Sequence, residues 1–214
     1  MLEFSNVKVY DLKETVISCR NAMRLDMPEY TDEEFEKGLK RAIALSKNGG
    51  GTGHTSFRKG IRVAFDMKYT QYITKQFQRY HWFDYIASSS LMHRITKMDF
   101  SKCVTKYVTQ KSIDEMFKLV NRYNFIMDNN ISSFDFTELP TPIHTSTLEE
   151  TRYVAWMMTL NNCPMGTELF VRVTTNYEQL ATIYKQRKHH KLKEDYQAFR
   201  DMVEGLPYAK ELIL

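Results

Sequence analysis

The sequence predicts an α+β fold. Three observations lead to it. Ile61, Val63, Phe65 and Met67 alternate with Arg62, Ala64, Asp66 and Lys68, and Leu169, Val171 and Val173 repeat that spacing. A period of two gives each run one buried face, as in a half-covered strand. Other segments place apolar residues every three or four positions behind helix-capping motifs. Strands and helices do not alternate regularly, as a parallel βαβ sheet would require.

Taken in order, Val7, Val9, Tyr10, Leu12, Val16 and Ile17 suggest a strand leading into a helix within residues 1–30. Thr31-Asp32-Glu33-Glu34 reads as a capping box, with Thr31 accepting from the backbone and Glu34 reaching back. A helix is expected from about Asp32 to Lys47. The run Asn48-Gly49-Gly50-Gly51-Thr52-Gly53 should end it. The alternating strand follows. From about Thr70 the pattern returns to helix and leads into an aromatic and arginine-rich stretch. Residues 111–128 suit another helix, with Ile113, Met116, Phe117, Val120, Tyr123 and Phe125 on its apolar positions. Residues 129–144, polar and carrying Pro140 and Pro142, are expected to be loop. Ser146-Thr147-Leu148-Glu149 reads as a second capping box, opening a helix that ends near Asn161-Asn162-Cys163-Pro164. Residues 167–174 are expected to be a strand, then helices at about 176–188 and 193–205.

At 214 residues the chain is expected to form one domain, long enough to bury a core without staples. Cys19, Cys103 and Cys163 are odd in number and far apart, which favours reduced thiols and a cytoplasmic location. The start lacks a signal-peptide pattern, and no apolar run approaches a membrane span. The net charge of +4 permits an anionic ligand without demanding nucleic acid.

The most informative stretch is Gln76 to Ser89, which mixes Arg79, His81, Trp82, Phe83, Tyr85 and serines. Arginine offers a planar fork for phosphate and serine hydroxyls add short donors, so a flat, phosphorylated ligand suits it. A polar helix end with capping serines is the plainer alternative. The Gly49–His54 run could cradle phosphate, but it follows a helix and precedes a strand, the reverse of a P-loop. The basic run Lys185, Arg187, Lys188, His189, His190, Lys191 and Lys193 complements a helix C-terminus. It is short and lacks interleaved aromatics, which weighs against nucleic acid. A serine with His93 and Asp99 would make a triad, but no nucleophile elbow supports it. His189-His190 has no further ligand at metal spacing, so no metal site is expected.

Together these residues resemble the flavin-dependent thymidylate synthases. That family carries an Arg-His-Arg signature with a Ser after seven further residues; here Arg79-Tyr80-His81 is followed at that spacing by Ser89. Gln76 stands three before Arg79, and His54-Thr55-Ser56 matches a family His 25 residues before it. Pro164, Thr174-Thr175-Asn176 and Arg187, eleven after Asn176, follow the family spacing farther on.

The resemblance implies a mixed sheet flanked by helices, and a homotetramer that binds FAD and dUMP. It implies transfer of methylene from methylenetetrahydrofolate, hydride from reduced flavin, and NADPH as reductant. By position, Gln76, Arg79, Ser89 and Arg187 would hold the nucleotide, with Arg187 against the uracil ring and with Arg187 and Ser89 as the catalytic residues. His54, Tyr80, His81 and Asn176 would line the flavin site, near the Asn48–Gly53 loop.

The chain also departs from the family. Tyr80 and His81 replace the signature's second and third residues. Ala87, Leu91, Leu160 and Glu178 replace one acidic residue and three arginines. Each lost charge-assisted bond costs roughly 1.5–3 kcal/mol. Ser88, Ser90, His93, Arg94 and Lys188 are near enough in sequence to substitute. The resemblance therefore leaves open a related hydroxymethylase and a non-catalytic nucleotide-binding or protein-binding module.

Overall fold

The computed structural model describes residues 1–48 and 53–214. The glycine run at 49–52, expected to close the loop after the first long helix, lies outside the described residues. The chain divides into two compact units, one of residues 1–69, 73–88 and 170–214, the other of residues 70–72 and 89–169.

The first unit holds a four-stranded sheet. Its strands are β1 (Glu3–Tyr10), β2 (Arg62–Thr70), β3 (Asp84–Ser88) and β6 (Glu168–Asn176), in the order β1-β2-β6-β3. β1 runs antiparallel to β2, and β3 antiparallel to β6. The alternation read at 61–68 is real: Ile61, Val63, Phe65 and Met67 are all fully buried. The register of β1 slips between Ser5 and Lys8, where Asn6 adopts φ 49°. Asparagine tolerates that left-handed geometry better than a bulky residue would.

The helices of this unit are α1 (Leu12–Ser18), α2 (Asp32–Ser46), α3 (Gln71–Phe77), α7 (Tyr177–Arg187), α8 (Lys193–Glu204) and α9 (Ala209–Leu212). Phe4 of β1 meets Phe65 of β2 and Phe199 of α8, with ring centroids 5.4 and 6.2 Å apart. Tyr177, Leu180 and Ile183 of α7 and Tyr196, Phe199 and Val203 of α8 complete a core with no exposure. The spacing, i, i+3 and i+6 in α7 and i, i+3 and i+7 in α8, puts them on one face of each helix.

Thr31 caps α2 as expected, accepting from Glu34 N at 3.2 Å. The reciprocal half of the capping box does not form. The Glu34 carboxylate instead accepts from Arg24, from Arg20 at 2.9 Å and from Lys37 at 3.3 Å. Three cations outcompete one backbone amide for the same oxygens. Arg24, then Lys37 and Arg20, hold the Glu34 carboxyl down to about 2 from an ordinary 4.5. A depressed carboxylate pKa contributes stability that is complete above the unfolded value and lost as pH falls towards the folded one. Denaturation midpoints should therefore decline between about pH 4.5 and pH 2. Glu34→Gln should flatten that part of the profile.

Gly38 is the close-contact point between α1 and α2. A Cβ there would lie 2.5 Å from the Val16 carbonyl oxygen and 3.0 Å from Ile17 Cα, both backbone atoms. Gly38→Ala should therefore destabilise the protein by about 1–3 kcal/mol, against the usual gain for alanine in a helix. Urea unfolding with an unchanged m-value would check it.

The second unit packs α5 (Gln110–Asp128) on α6 (Leu148–Asn161), with the short α4 (Leu91–Arg94) preceding them. Met116, Leu119, Val120 and Ile126 of α5 are buried with Ala155 and Met158 of α6. Phe125, expected on the apolar face of α5, points to solvent, and Leu119 and Ile126 take that side. The cap of α6 is one residue later than the predicted box. Thr147 accepts from Glu150 N at 3.2 Å, and Glu150 accepts from Ser146 N at 3.0 Å.

The segment expected to be loop at 129–144 contains a hairpin of β4 (Phe134–Phe136) and β5 (Ile143–Thr145). Pro140 and Pro142 sit in its connection, where proline is tolerated, so they mark the turn rather than exclude the strands. Among the described residues no helix is long and apolar enough to cross a membrane. All three cysteines are free thiols, as their spacing suggested.

Candidate functional site

The Gln76–Ser89 stretch is not one helix. α3 ends at Phe77, a turn follows, and β3 begins at Asp84. Two buried rings explain the turn. Phe77 stacks on Phe83 with centroids 4.8 Å apart and planes 26° from parallel. Phe77 also packs against Phe199 and Tyr196, at 5.8 and 6.0 Å. Both ends of the turn are thereby fixed in the core, and Arg79, Tyr80, His81 and Trp82 are pushed outward. Backbone bonds from Tyr80 N to Phe77 O at 3.0 Å and from Phe83 N to Tyr80 O at 3.3 Å close it.

The junction of β6 and α7 clasps the far side of this turn. Thr175 Oγ1 donates to Trp82 O at 2.6 Å, and Trp82 N donates to Gln179 Oε1 at 3.3 Å. Asn176 caps α7, its Oδ1 accepting from Gln179 N at 2.9 Å.

Arg187 ends α7 and returns to the turn. Its Nε donates to Tyr80 Oη at 2.9 Å, and Tyr80 Oη donates to Gln186 Oε1 at 3.0 Å. The guanidinium lies 5.7 Å from the Tyr80 ring centroid and 5.4 Å from that of Tyr196. Two aromatic faces hold this cation, and the planar guanidinium can lie against both rings while its Nε donates, which a lysine ammonium cannot match. Tyr196 Oη in turn donates to Gln76 Oε1 at 2.8 Å. Burial pushes the Tyr196 phenol up to about 12, so it is a neutral donor at physiological pH. The His190 ring sits 4.6 Å from Tyr196, and burial, then Arg187 and Lys191, draw its pKa below the ordinary value.

A cavity of about 410 Å³ opens here, lined by Arg79, Tyr80, His81, Thr182, Gln186 and Arg187 among others. It contains two arginines and no carboxylate, and neither arginine has an ion pair among the described residues.

Of the residues singled out in the sequence, Arg79, Tyr80, His81 and Arg187 line this one cavity. Gln76 joins them through Tyr196. Asn176 is buried, with its oxygen committed to the helix cap. His54 is exposed, beside Gly53 at φ 82°; its neighbour Thr55 is buried and donates to Glu178 Oε1 at 2.9 Å. Ser89 is half-buried directly after β3 and belongs to the second unit.

Tyr196, Thr182, Gln179 and Gln186 take part without having been singled out. The last three lie on the α7 turns between Asn176 and Arg187, which the expected helix would have placed on the same face. Tyr196 carried only a core signal, its i, i+3 partner being Phe199.

Two other readings fail on geometry. Ser90 Oγ lies 2.8 Å from His93 Nδ1, but Ser90 is the cap of α4, and Asp99 is bound to Ser101 and Lys102 rather than to the histidine. His190 Nδ1 accepts from Leu192 N at 3.2 Å, and among the described residues no cluster could hold a metal ion.

No family model matches the sequence, and no curated protein matches it. Solved structures do. The flavin-dependent thymidylate synthase ThyX of Helicobacter pylori, complexed with FAD and dUMP, aligns with TM-score 0.60 over 98% of each chain at 14% identity. A second structure of Helicobacter pylori ThyX with FAD and dUMP aligns with TM-score 0.61 over 100% of this chain and 97% of that one, again at 14% identity. The mixed fold of helices and sheet that the sequence suggested is thus the fold of these synthases, over nearly the whole chain.

Proposed function

We propose that this protein binds FAD and a pyrimidine nucleotide and acts as a thymidylate synthase, methylating C5 of dUMP. The observation that supports this best is the Arg187 guanidinium, held between Tyr80 and Tyr196 at the edge of a cavity with two arginines and no acid. Such a cavity suits a flat, anionic ligand, and the fold is that of proteins solved with FAD and dUMP.

The residues present fit a flavin. Tyr80 and His81 offer flat rings, and Gln179, Gln186 and Thr182 offer donors and acceptors to the edge of a heterocycle. Bound flavin would supply the hydride that completes the methyl group, with methylenetetrahydrofolate as the one-carbon donor and NADPH as reductant. Arg187 would neutralise negative charge developing on a uracil oxygen, and its fixed position makes that stabilisation preorganised. Arg79 would bind phosphate and Gln76 would orient the base through its amide. His54, Tyr80, His81 and the Asn176 amide nitrogen would face the flavin. The active assembly would be a homotetramer.

The test is an absorbance spectrum from 350 to 500 nm after incubation with FAD and gel filtration. A retained flavin spectrum, shifted by dUMP, supports the reading. A folded protein that retains none would remove it. Product mass then separates methyl from hydroxymethyl transfer.

A further inference from the structure

A cavity of about 580 Å³ lies within the second unit, between α5 and the N-terminal half of α6, and shares no lining residue with the Arg187 cavity. On α6, Thr151, Ala155, Met158 and Thr159 are buried. Beside them Glu149, Arg152, Tyr153 and Trp156 follow at i, i+3, i+4 and i+7, which places them on one face of the helix. A stripe at that spacing on a packed helix is ordinarily apolar and covered. Here all four residues line the cavity, and Tyr123 of α5 adds a third ring. Tyr153 is 59% exposed. Its ring centroid is 6.4 Å from that of Trp156 and the planes differ by 39°, so the two rings do not stack on each other. Trp156 Nε1 donates to Met92 O at 3.4 Å, which anchors the edge of the indole and leaves its face.

Three charged side chains line the cavity. Glu150 is committed to the helix cap, accepting from Ser146 N at 3.0 Å and Ser146 Oγ at 3.2 Å. Glu149 and Arg152 stand one helical turn apart, yet neither pairs with the other or with any other described residue. The free groups are therefore one carboxylate, one guanidinium and three rings. A ligand with one charge of each sign matches that set. A cation over the ring faces gains a cation–π attraction and the field of Glu149. A carboxylate meets the planar fork of Arg152. A primary ammonium brings three donors that need acceptors, and Glu149 is the one free carboxylate; a quaternary ammonium brings none and binds through its methyl surface.

We propose that this cavity is a ligand site for a small zwitterion that carries a quaternary ammonium and a carboxylate, a betaine in chemical class. The ammonium takes the rings of Tyr123, Tyr153 and Trp156 with Glu149 beside them; the carboxylate takes Arg152. The inference does not rest on flavin binding or on the synthase reading, so its test is decisive whether or not the protein retains FAD.

The test is calorimetric titration of the whole protein with γ-butyrobetaine, whose spacer separates its charged ends by about one helical turn. Two analogues run beside it. In 5,5-dimethylhexanoate a neutral tert-butyl head replaces the ammonium and the carboxylate stays; propyltrimethylammonium keeps the ammonium and lacks the carboxylate. Expected is saturable one-to-one binding of γ-butyrobetaine, at least about tenfold tighter than either analogue. Tyr153→Ala, at an exposed position, should weaken it about tenfold with the melting midpoint nearly unchanged. Arg152→Gln should remove the preference for γ-butyrobetaine over propyltrimethylammonium without weakening the latter. Lys111→Gln, which removes a charge from α5 outside the cavity, should change neither affinity. No binding by the folded wild-type protein, equal affinity for the neutral-headed analogue, wild-type binding by Tyr153→Ala, or an undiminished preference in Arg152→Gln would each overturn the proposal.

Discussion

Arg187→Ala should cost the protein about 10- to 100-fold in affinity for dUMP, since one charge-assisted hydrogen bond is worth roughly 1.5–3 kcal/mol. The loss should come from the ligand and not from the fold. Arg187 is half-buried, and its partners Tyr80 and Gln186 bond each other without it. Melting should therefore shift little while binding collapses. Arg187→Lys is the sharper comparison. It keeps the charge but loses the planar group that lies against two rings, 5.7 and 5.4 Å away. If the cation alone mattered, lysine would restore most of the affinity. If its fixed, stacked position matters, lysine should recover only a small part. Equilibrium dialysis against labelled dUMP, with and without FAD, measures all three proteins. Wild-type affinity in Arg187→Ala would remove the nucleotide from this cavity.

The elements that were legible in the sequence are those whose signal is local. β2 shows its alternation because one face is buried along its length, and α2 shows Thr31 because a cap acts on a backbone amide three residues away. What was not legible depends on competition or on distance. Glu34 belongs to a capping box by pattern, yet Arg20 and Arg24, ten or more residues earlier, claim it. β3 carries no alternating burial, because it lies at the sheet edge and most of its residues face solvent. The expected helix from about Thr70 leads into its aromatic neighbours with no sign of where it ends; Phe77 and Phe83 reach the same core from either side of a turn.

The site divides in the same way. Arg79, Tyr80, His81 and Arg187 could be singled out by residue type and spacing, and they line one cavity. Tyr196 could not. It looks like core in the sequence, and it is core, with no exposure; but its hydroxyl holds Gln76 and its ring supports Arg187. Whether a buried tyrosine is packing or scaffold depends on what lies against its two ends, and only the fold brings Gln76 and Arg187 there.

That dual role makes Phe77 the position where stability and site should fail together. Phe77 is fully buried and touches Phe83, Tyr196 and Phe199, with Tyr80 6.5 Å away. Phe77→Ala should cost about 3–5 kcal/mol, the usual range for deleting a core phenylalanine. In a chain of this size each kcal/mol lowers the midpoint by about 2–4 °C, so a fall of roughly 6–20 °C is expected. Phe77→Leu, which keeps most of the volume, should lose much less. The informative measurement is made well below the lowered midpoint, where Phe77→Ala is still folded. Removing the ring frees Phe83 and Tyr196 to move, and with them the Arg79–Trp82 turn and the cation that Tyr196 supports. Affinity for a bound nucleotide should then fall even in the folded fraction. An Arg187→Ala, Phe77→Ala double variant should lose less than the sum of the two single losses, because part of the core ring's effect on the ligand runs through the guanidinium it helps to position. Additive losses would mean that Phe77 acts on the ligand through the turn and not through Arg187, and an unchanged affinity in folded Phe77→Ala would mean that it contributes packing only.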